Sequence, residues 1–265
     1  MKIGVFDSGL GGLTVVQAMT QVIKGAQIFY VADTKNAPYG EKTPEQILQF
    51  SLAIAQYLID THQIDALILA CNTATSSAIA HLREMHPSLI IIGTEPGIKP
   101  ALAQTETGKI GVLATPATLQ GEKYQKLAQT LSSSSQKSVE IYEQACPGLV
   151  EQIEKGEMDS LETRALLEKW LAPMRENNVD TIVLGCTHYP LVGQSIESIM
   201  NCNVRLIHTG EAISKHLLAL GMQKGHFNEG ALEVHIHTTG EIHTHIIENM
   251  IGTYEKLHLI EIKSK

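Results

Sequence analysis

Short apolar, β-branched runs alternate with helix-length amphipathic segments along the whole chain. Runs at 2–6, 27–31, 66–70, 89–93, 110–114, 139–144, 181–185, 204–207 and 233–238 predict strands. They are apolar throughout instead of alternating with polar residues, the pattern of parallel strands covered by helices on both faces. Thr43-Pro44-Glu45-Gln46 combines an N-cap, a proline at the first helical position and a capping-box Gln. Ile47, Leu48, Leu52, Ala55, Leu58 and Ile59 then fall on one face. Asp159 with Glu162 predicts another helix start, running through Leu166 and Leu167 to Trp170. This alternation predicts an α/β fold with largely parallel, doubly wound sheets.

The pattern also repeats itself. Lys2-Ile3-Gly4-Val5 recurs as Lys109-Ile110-Gly111-Val112, and the run DALILACNTATS from Asp65 has a near twin, DTIVLGCTHYPL, from Asp180. Each twin starts with Asp and reaches a Cys six positions later, Cys71 and Cys186. Two similar α/β units would each present a first-strand loop, Asp7-Ser8-Gly9 and Thr115-Pro116, and a Cys-bearing loop. Both would lie at the carboxyl edge of a sheet, where open α/β sheets bind ligands. The stretch Glu95-Pro96-Gly97-Ile98-Lys99-Pro100 reads as the linker.

Composition narrows the class. The 265 residues, 43% hydrophobic and 18% charged, suit one large or two compact globular domains. A formal charge of −8 argues against nucleic acid or anionic lipid as the main partner. Neither a leader-like start nor an apolar run long enough for a membrane span is present, so a cytoplasmic chain is expected. The four cysteines, Cys71, Cys146, Cys186 and Cys202, contain no CxxC pair and read as free thiols in a reducing compartment.

Candidate chemistry gathers at the strand ends. Asp7-Ser8-Gly9-Leu10-Gly11-Gly12 follows a strand and opens a helix, and Asp33 stands where a ribose-binding acid would. However, Thr14 replaces the third glycine of a dinucleotide fingerprint, and Asp7 would oppose a pyrophosphate. The glycines read better as letting a helix N-terminus approach a small anion. A lone Cys at a strand end is usually a small hydrophobe. Here Cys71 precedes Asn72-Thr73 and Cys186 precedes Thr187-His188, so each thiol is expected at a helix N-terminus, a setting that favours thiolate. Zinc on Cys71, Cys186 and His188 is the specific rival, and it lacks a clear fourth ligand. Cys146 and Cys202 read as packing residues.

Asp7-Ser8-Gly9-Leu10-Gly11-Gly12-Leu13-Thr14-Val15, Pro38-Tyr39-Gly40, Ala70-Cys71-Asn72-Thr73-Ala74, Cys146-Pro147 and Gly185-Cys186-Thr187-His188-Tyr189-Pro190 resemble, in that order, the motifs of the aspartate/glutamate racemase family, glutamate racemases in particular. The resemblance implies two pseudo-symmetric flavodoxin-like domains, 1–95 completed by 208–265 and 96–207, with the active site in the cleft between them. It implies a cofactor-independent isomerase that interconverts L- and D-glutamate and supplies D-glutamate for peptidoglycan. It also leaves room for a homodimer.

By the same resemblance Cys71 and Cys186 are the two acid/base residues, with Asp7 and His188 assisting proton movement. Asp7, Ser8, Tyr39, Gly40, Asn72, Thr73, Thr187 and His188 hold the substrate, and no metal is implied. The motifs contain no Arg and have only Lys42 nearby, so neutral donors must hold the carboxylates. Glu154 aligns loosely with a further family carboxylate and reads more simply as a solvated helix acid. The family's usual Asp-Ser-Gly after residue 207 is His208-Thr209-Gly210 here, which puts that loop's role in doubt. The tail histidines His235, His237, His243 and His245 could chelate a metal but read as solvent-exposed positions. A binding module using the same cleft without turnover, and an aspartate racemase, stay open as alternatives.

Overall fold

A computed structural model of the chain describes residues 1–134, 139–227, 229–242, 247 and 257–261. It divides into two compact units, Met1–Thr94 with Thr209–Lys265, and Glu95–His208. The first unit begins with β1 (Lys2–Asp7), α1 (Leu13–Val22), β2 (Gln27–Ala32), α2 (Pro44–His62), β3 (Ala66–Leu69), α3 (Asn72–Met85) and β4 (Ile90–Gly93). The second contains α4 (Ile98–Gln104), β5 (Lys109–Ala114), α5 (Pro116–Gln120), α6 (Glu122–Ser134), β6 (Glu140–Ala145), α7 (Leu149–Glu154), α8 (Leu161–Glu176), β7 (Thr181–Gly185), α9 (Gly193–Ile199) and β8 (Arg205–Ile207). The chain returns to the first unit as α10 (Gly210–Gln223), β9 (Glu233–Thr238) and β10 (Leu257–Glu261).

The strand orders are β10-β9-β2-β1-β3-β4 and β6-β5-β7-β8. Every pairing among the described residues is parallel. Each unit therefore repeats a flavodoxin-like 2-1-3-4 core, and the first adds β9 and β10 beyond β2. The repeated glycine of the two KIGV strands has the same cause in both units. A Cβ at Gly4 would lie 2.8 Å from Ile64 Cδ1, and one at Gly111 would lie 2.6 Å from Met174 Sδ, so only glycine lets the covering segment pack this closely.

The twin Asp residues are anchors. Asp65 accepts from the Lys2 backbone N at 2.8 Å. Asp180 accepts from Glu106 N and Thr107 N at 2.7 and 2.8 Å and from the Thr105 hydroxyl at 2.7 Å. Burial opposes the Asp180 charge, but these donors outweigh it and hold its carboxyl below the usual range. The capping box at Thr43 forms as expected, with Thr43 Oγ1 accepting from Gln46 N at 3.3 Å and Thr43 N donating to Gln46 Oε1 at 3.1 Å.

Four expectations change. The helix near residue 160 is capped by Ser160, whose Oγ accepts from Thr163 N, and not by Asp159. Only part of 95–100 links the units, because α4 already begins at Ile98. β6 is an edge strand that is half-buried to exposed throughout, so it is not covered on both faces. The fourth change concerns the tail: His243 and His245 lie outside the described residues, but His235 and His237 are not solvent positions.

β9 runs inside the sheet, between β2 and β10, under the end of α2, so its alternating side chains are enclosed. The Phe29 ring stacks on His62 at 4.0 Å and on His235 at 5.0 Å, and His237, 2% exposed, meets His62 edge-on at 4.9 Å. Tyr57 hydroxyl and His237 Nδ1 are 3.2 Å apart. No group of three His, Cys, Asp or Glu among the described residues is arranged to hold a metal ion. These rings act as flat core pieces.

Burial, aided by His62 and His235, lowers His237 from 6.5 to about 4. Burial, then His235 and Lys2, also lowers His62. A depressed histidine contributes stability that is complete above its unfolded pKa and is lost as pH falls through the folded value. In unfolding titrations His237 should therefore account for a loss of at most about 3 kcal/mol between pH 6.5 and 4. His237→Phe should flatten that slope, and equal slopes for the two proteins would refute the assignment.

Candidate active site

The register of the parallel pairs decides what the strand ends bring together. In the first unit Phe6 pairs with Leu69, and Ala70 N donates to Phe6 O at 2.9 Å. Two residues beyond that pair the chain reaches Ser8 on one side and Cys71 on the other, and Cys71 Sγ and Ser8 Oγ are 3.7 Å apart. In the second unit Ala114 pairs with Gly185, and the next residues are Thr115 and Cys186. The two thiols therefore occupy the same topological position, beside the first strand of each sheet, where the strand order reverses.

Cys71 caps α3, and its sulfur accepts from Ala74 N at 3.4 Å in the place where Ser or Asp normally stands. The helix N-terminus favours negative charge on that sulfur. Asp7 ends β1 fully buried, with Oδ1 accepting from Gly9 N at 3.0 Å. The glycine loop fits tightly over it: a Cβ at Gly12 would lie 2.6 Å from Asp7 Cβ and 2.9 Å from the Tyr30 hydroxyl, which donates to Gly9 O. Ser8, Asn72 and Thr73 are 5–7% exposed. Asn72 Oδ1 is buried without a hydrogen-bond partner among the described residues. An unmet buried acceptor costs about 1–3 kcal/mol, which a bound donor would offset.

Tyr39 and Gly40 lie in the 3-10 turn Tyr39–Glu41 of the same unit. Tyr39 is 1% exposed, and its hydroxyl donates to Asp33 Oδ2 at 2.6 Å. Burial, then the Asp33 charge, raises the phenol far above its usual range. Its one proton is thus committed inside the unit, so this turn can offer a ligand backbone groups but not the Tyr39 proton.

Cys186 is served differently. It does not start an α-helix: Tyr189 N turns back to Cys186 O, the 3-10 turn Tyr189–Val192 follows with Pro190 in it, and α9 begins only at Gly193. The expected helix N-terminus is therefore absent at this thiol, and a side chain takes its place. His188 Nδ1 lies 3.7 Å from Cys186 Sγ and 3.5 Å from Thr187 Oγ1, while His188 Nε2 meets Glu154 Oε1 at 2.5 Å. His188 is 1% exposed. Burial pulls its pKa down, but the bonds and charges of Cys186 and Glu154 outweigh burial and raise it well above 6.5. Glu154 is therefore not a solvated helix acid. It lies 34 residues from His188 in the chain, and only the tertiary fold joins them.

The remaining thiols have no such surroundings. Cys146 is 2% exposed, and burial pushes it up to about 12. Cys202 is exposed. In the loop His208-Thr209-Gly210, Gly210 has a packing task in the first unit, where a Cβ on it would lie 2.9 Å from Ala18 Cβ of α1. A groove of about 730 Å³ beside the edge strand β8 is lined by Glu197, Arg205, His208 and Leu206, among others. It contains none of the thiols or their polar neighbours.

The Cys186-His188-Glu154 line can be tested directly. Glu154→Gln removes the charge that opposes desolvation, so His188 should titrate at lower pH while remaining buried. NMR titration of labelled histidines reads this, and an unmoved His188 would show that the carboxylate does not act on it.

Residues 3–217 match the family model described as Asp/Glu/Hydantoin racemase. The chain is 64% identical over 264 residues to a glutamate racemase of Sulfurovum sp., covering 100% of this chain and 99% of that one. It is similar to the crystal structure of a glutamate racemase isoform from Bacillus anthracis, with TM-score 0.85 and 30% identity, covering 99% and 98% of the two chains. It is also similar to the glutamate racemase of Francisella tularensis in complex with D-glutamate, with TM-score 0.81 and 28% identity, covering 99% and 97%. With its repeated parallel cores and paired strand-end thiols, the chain belongs to the Asp/Glu/Hydantoin racemase family and is an amino-acid racemase, an isomerase.

Proposed function

We propose that the chain interconverts L- and D-glutamate by a two-base mechanism without a cofactor, with Cys71 and Cys186 as the acid/base pair. The observation that carries this reading is the thiol at the same topological position of each unit, each with its own means of holding charge. Inverting an α-carbon requires a proton removed from one face and another delivered to the opposite face. In this reading glutamate is held with one sulfur on each side of its α-carbon. One sulfur, as thiolate, takes the α-hydrogen; the carbanion that remains takes a proton from the other sulfur. The thiol and thiolate have then exchanged roles, so the reverse reaction is equally served.

Each unit supplies its own electrostatics. At Cys186 a protonated His188, held by Glu154, stabilises thiolate and can return a proton. At Cys71 the α3 N-terminus stabilises thiolate, and Asp7 is the acid/base assistant. Ser8, Asn72, Thr73, Thr187 and the Tyr39-Gly40 backbone hold the carboxylates and ammonium with neutral donors and acceptors. The work is done in the cytoplasm and supplies D-glutamate for peptidoglycan. A binding module would need neither thiol.

Circular dichroism with L-glutamate, D-glutamate and L-aspartate, with no cofactor added, tests the reading. Signal should decay with either glutamate enantiomer and about 10–100-fold more slowly with aspartate, which is one methylene shorter. Cys71→Ala and Cys186→Ala should each abolish turnover in both directions. Asp7→Asn should lower kcat more than it raises KM, and Thr187→Ala should do the reverse. Activity lost on exhaustive dialysis and restored only by pyridoxal phosphate or a metal would overturn the proposal.

A further inference from the structure

Asp33 is a buried acid that the proposed proton transfers do not use. It follows β2 and is 1% exposed, and no cation pairs with it among the described residues. Its charge is met by neutral donors only. Asn36 Nδ2 donates to both oxygens at 3.1 Å, the Tyr39 hydroxyl to Oδ2 at 2.6 Å and the Thr239 hydroxyl to Oδ1 at 2.6 Å. The backbone tightens the same knot: Asp33 N donates to Asp7 O at 3.0 Å, Lys35 N to Thr239 Oγ1 at 3.2 Å and Thr239 N to Ala32 O at 3.1 Å.

Three parts of the first unit meet on this one carboxylate. They are the β1 end that carries Asp7, the 34–41 loop that carries Tyr39 and Gly40, and the segment after β9, 206 residues away in the chain. Hydrogen bonds to a charged acceptor are shorter and about twice as strong as neutral ones, which fits the two 2.6 Å contacts. A carboxylate is also the group whose two oxygens can both accept at once. An amide in its place turns one of them into a donor aimed at a hydroxyl or amide proton.

We propose that Asp33 is a positioning residue for the substrate: its anionic carboxylate holds the Tyr39-Gly40 turn in register with Asp7 and locks it to the returned chain at Thr239. The inference rests on the reading that this turn holds glutamate. The side-chain partners of Asp33 are Asn36, Tyr39 and Thr239. The carboxylate acts through Tyr39, so its loss weakens substrate binding and leaves the proton transfers largely intact. A merely structural buried acid would instead lower stability without a selective change in KM.

The test compares wild type with Asp33→Asn, Tyr39→Phe, Thr239→Val and the Asp33→Asn/Tyr39→Phe double variant. Steady-state racemisation and amide hydrogen exchange are measured on the whole chain. Asp33→Asn should raise KM about tenfold with kcat changed less than about threefold, and exchange at residues 37–41 should speed up about tenfold. Tyr39→Phe should shift both readouts in the same direction, and the double variant should be no worse than Asp33→Asn alone. Thr239→Val, which keeps the carboxylate, should give a smaller shift of the same kind even if Asp33→Asn folds poorly. Unchanged exchange at 37–41, a kcat loss as large as the KM rise, or effects of Asp33→Asn and Tyr39→Phe that multiply would each overturn the proposal. If wild type fails to racemise glutamate, the functional reading falls, and hydrogen exchange alone still decides whether Asp33 holds the turn.

Discussion

Parallel pairing at a fixed register is the constraint on which everything else in these two units depends. Parallel strands end at the same edge, so whatever follows the first strand is delivered beside whatever follows the third. Phe6 opposite Leu69 carries Ser8 to Cys71, and Ala114 opposite Gly185 carries Thr115 to Cys186. A shift of one residue in either pair would turn the thiol into the opposite helical layer. The glycines of the KIGV strands and the half-buried twin aspartates protect that register. The former admit close helical cover, and the latter pin the starts of the paired strands.

The units repeat each other in topology and differ in electrostatics. In the first, a helix N-terminus stands behind Cys71 and an acid, Asp7, ends the first strand. In the second, Ala114 occupies the place of that acid, and the charge near Cys186 is set by His188 and Glu154 instead. One thiol thus caps a helix beside an aspartate, and the other lies against a histidine held by a glutamate.

Much of this was legible in the chain because local signals and tertiary structure agree. The apolar runs, the Thr43 capping box and the internal echoes predict the α/β repeat, and the strand-end motifs predict the polar clusters at Cys71 and Cys186. What escaped depends on contacts between residues distant in sequence. Glu154 looks like any helix acid until the fold sets it on His188, and Asp33 stands where a ribose-binding acid would until Thr239 arrives from the returned chain to meet it. His235 and His237 read as solvent-exposed, yet β2 on one side and β10 on the other make their strand an interior one. Cys186 resembles Cys71 in sequence, but Tyr189 and Pro190 close a 3-10 turn where the helix was expected.

The central claim, that two thiols on opposite faces of the substrate share one inversion, is tested most directly by isotope. With L-glutamate in D2O, the delivering thiol has exchanged with solvent before it protonates the carbanion. Early-time mass spectrometry or proton NMR should then find deuterium at the α-carbon of nearly all D-glutamate formed and little in the remaining L-glutamate. A substantial share of protiated D-glutamate would mean that one group returns the hydrogen it removed, and would contradict the two-thiol mechanism.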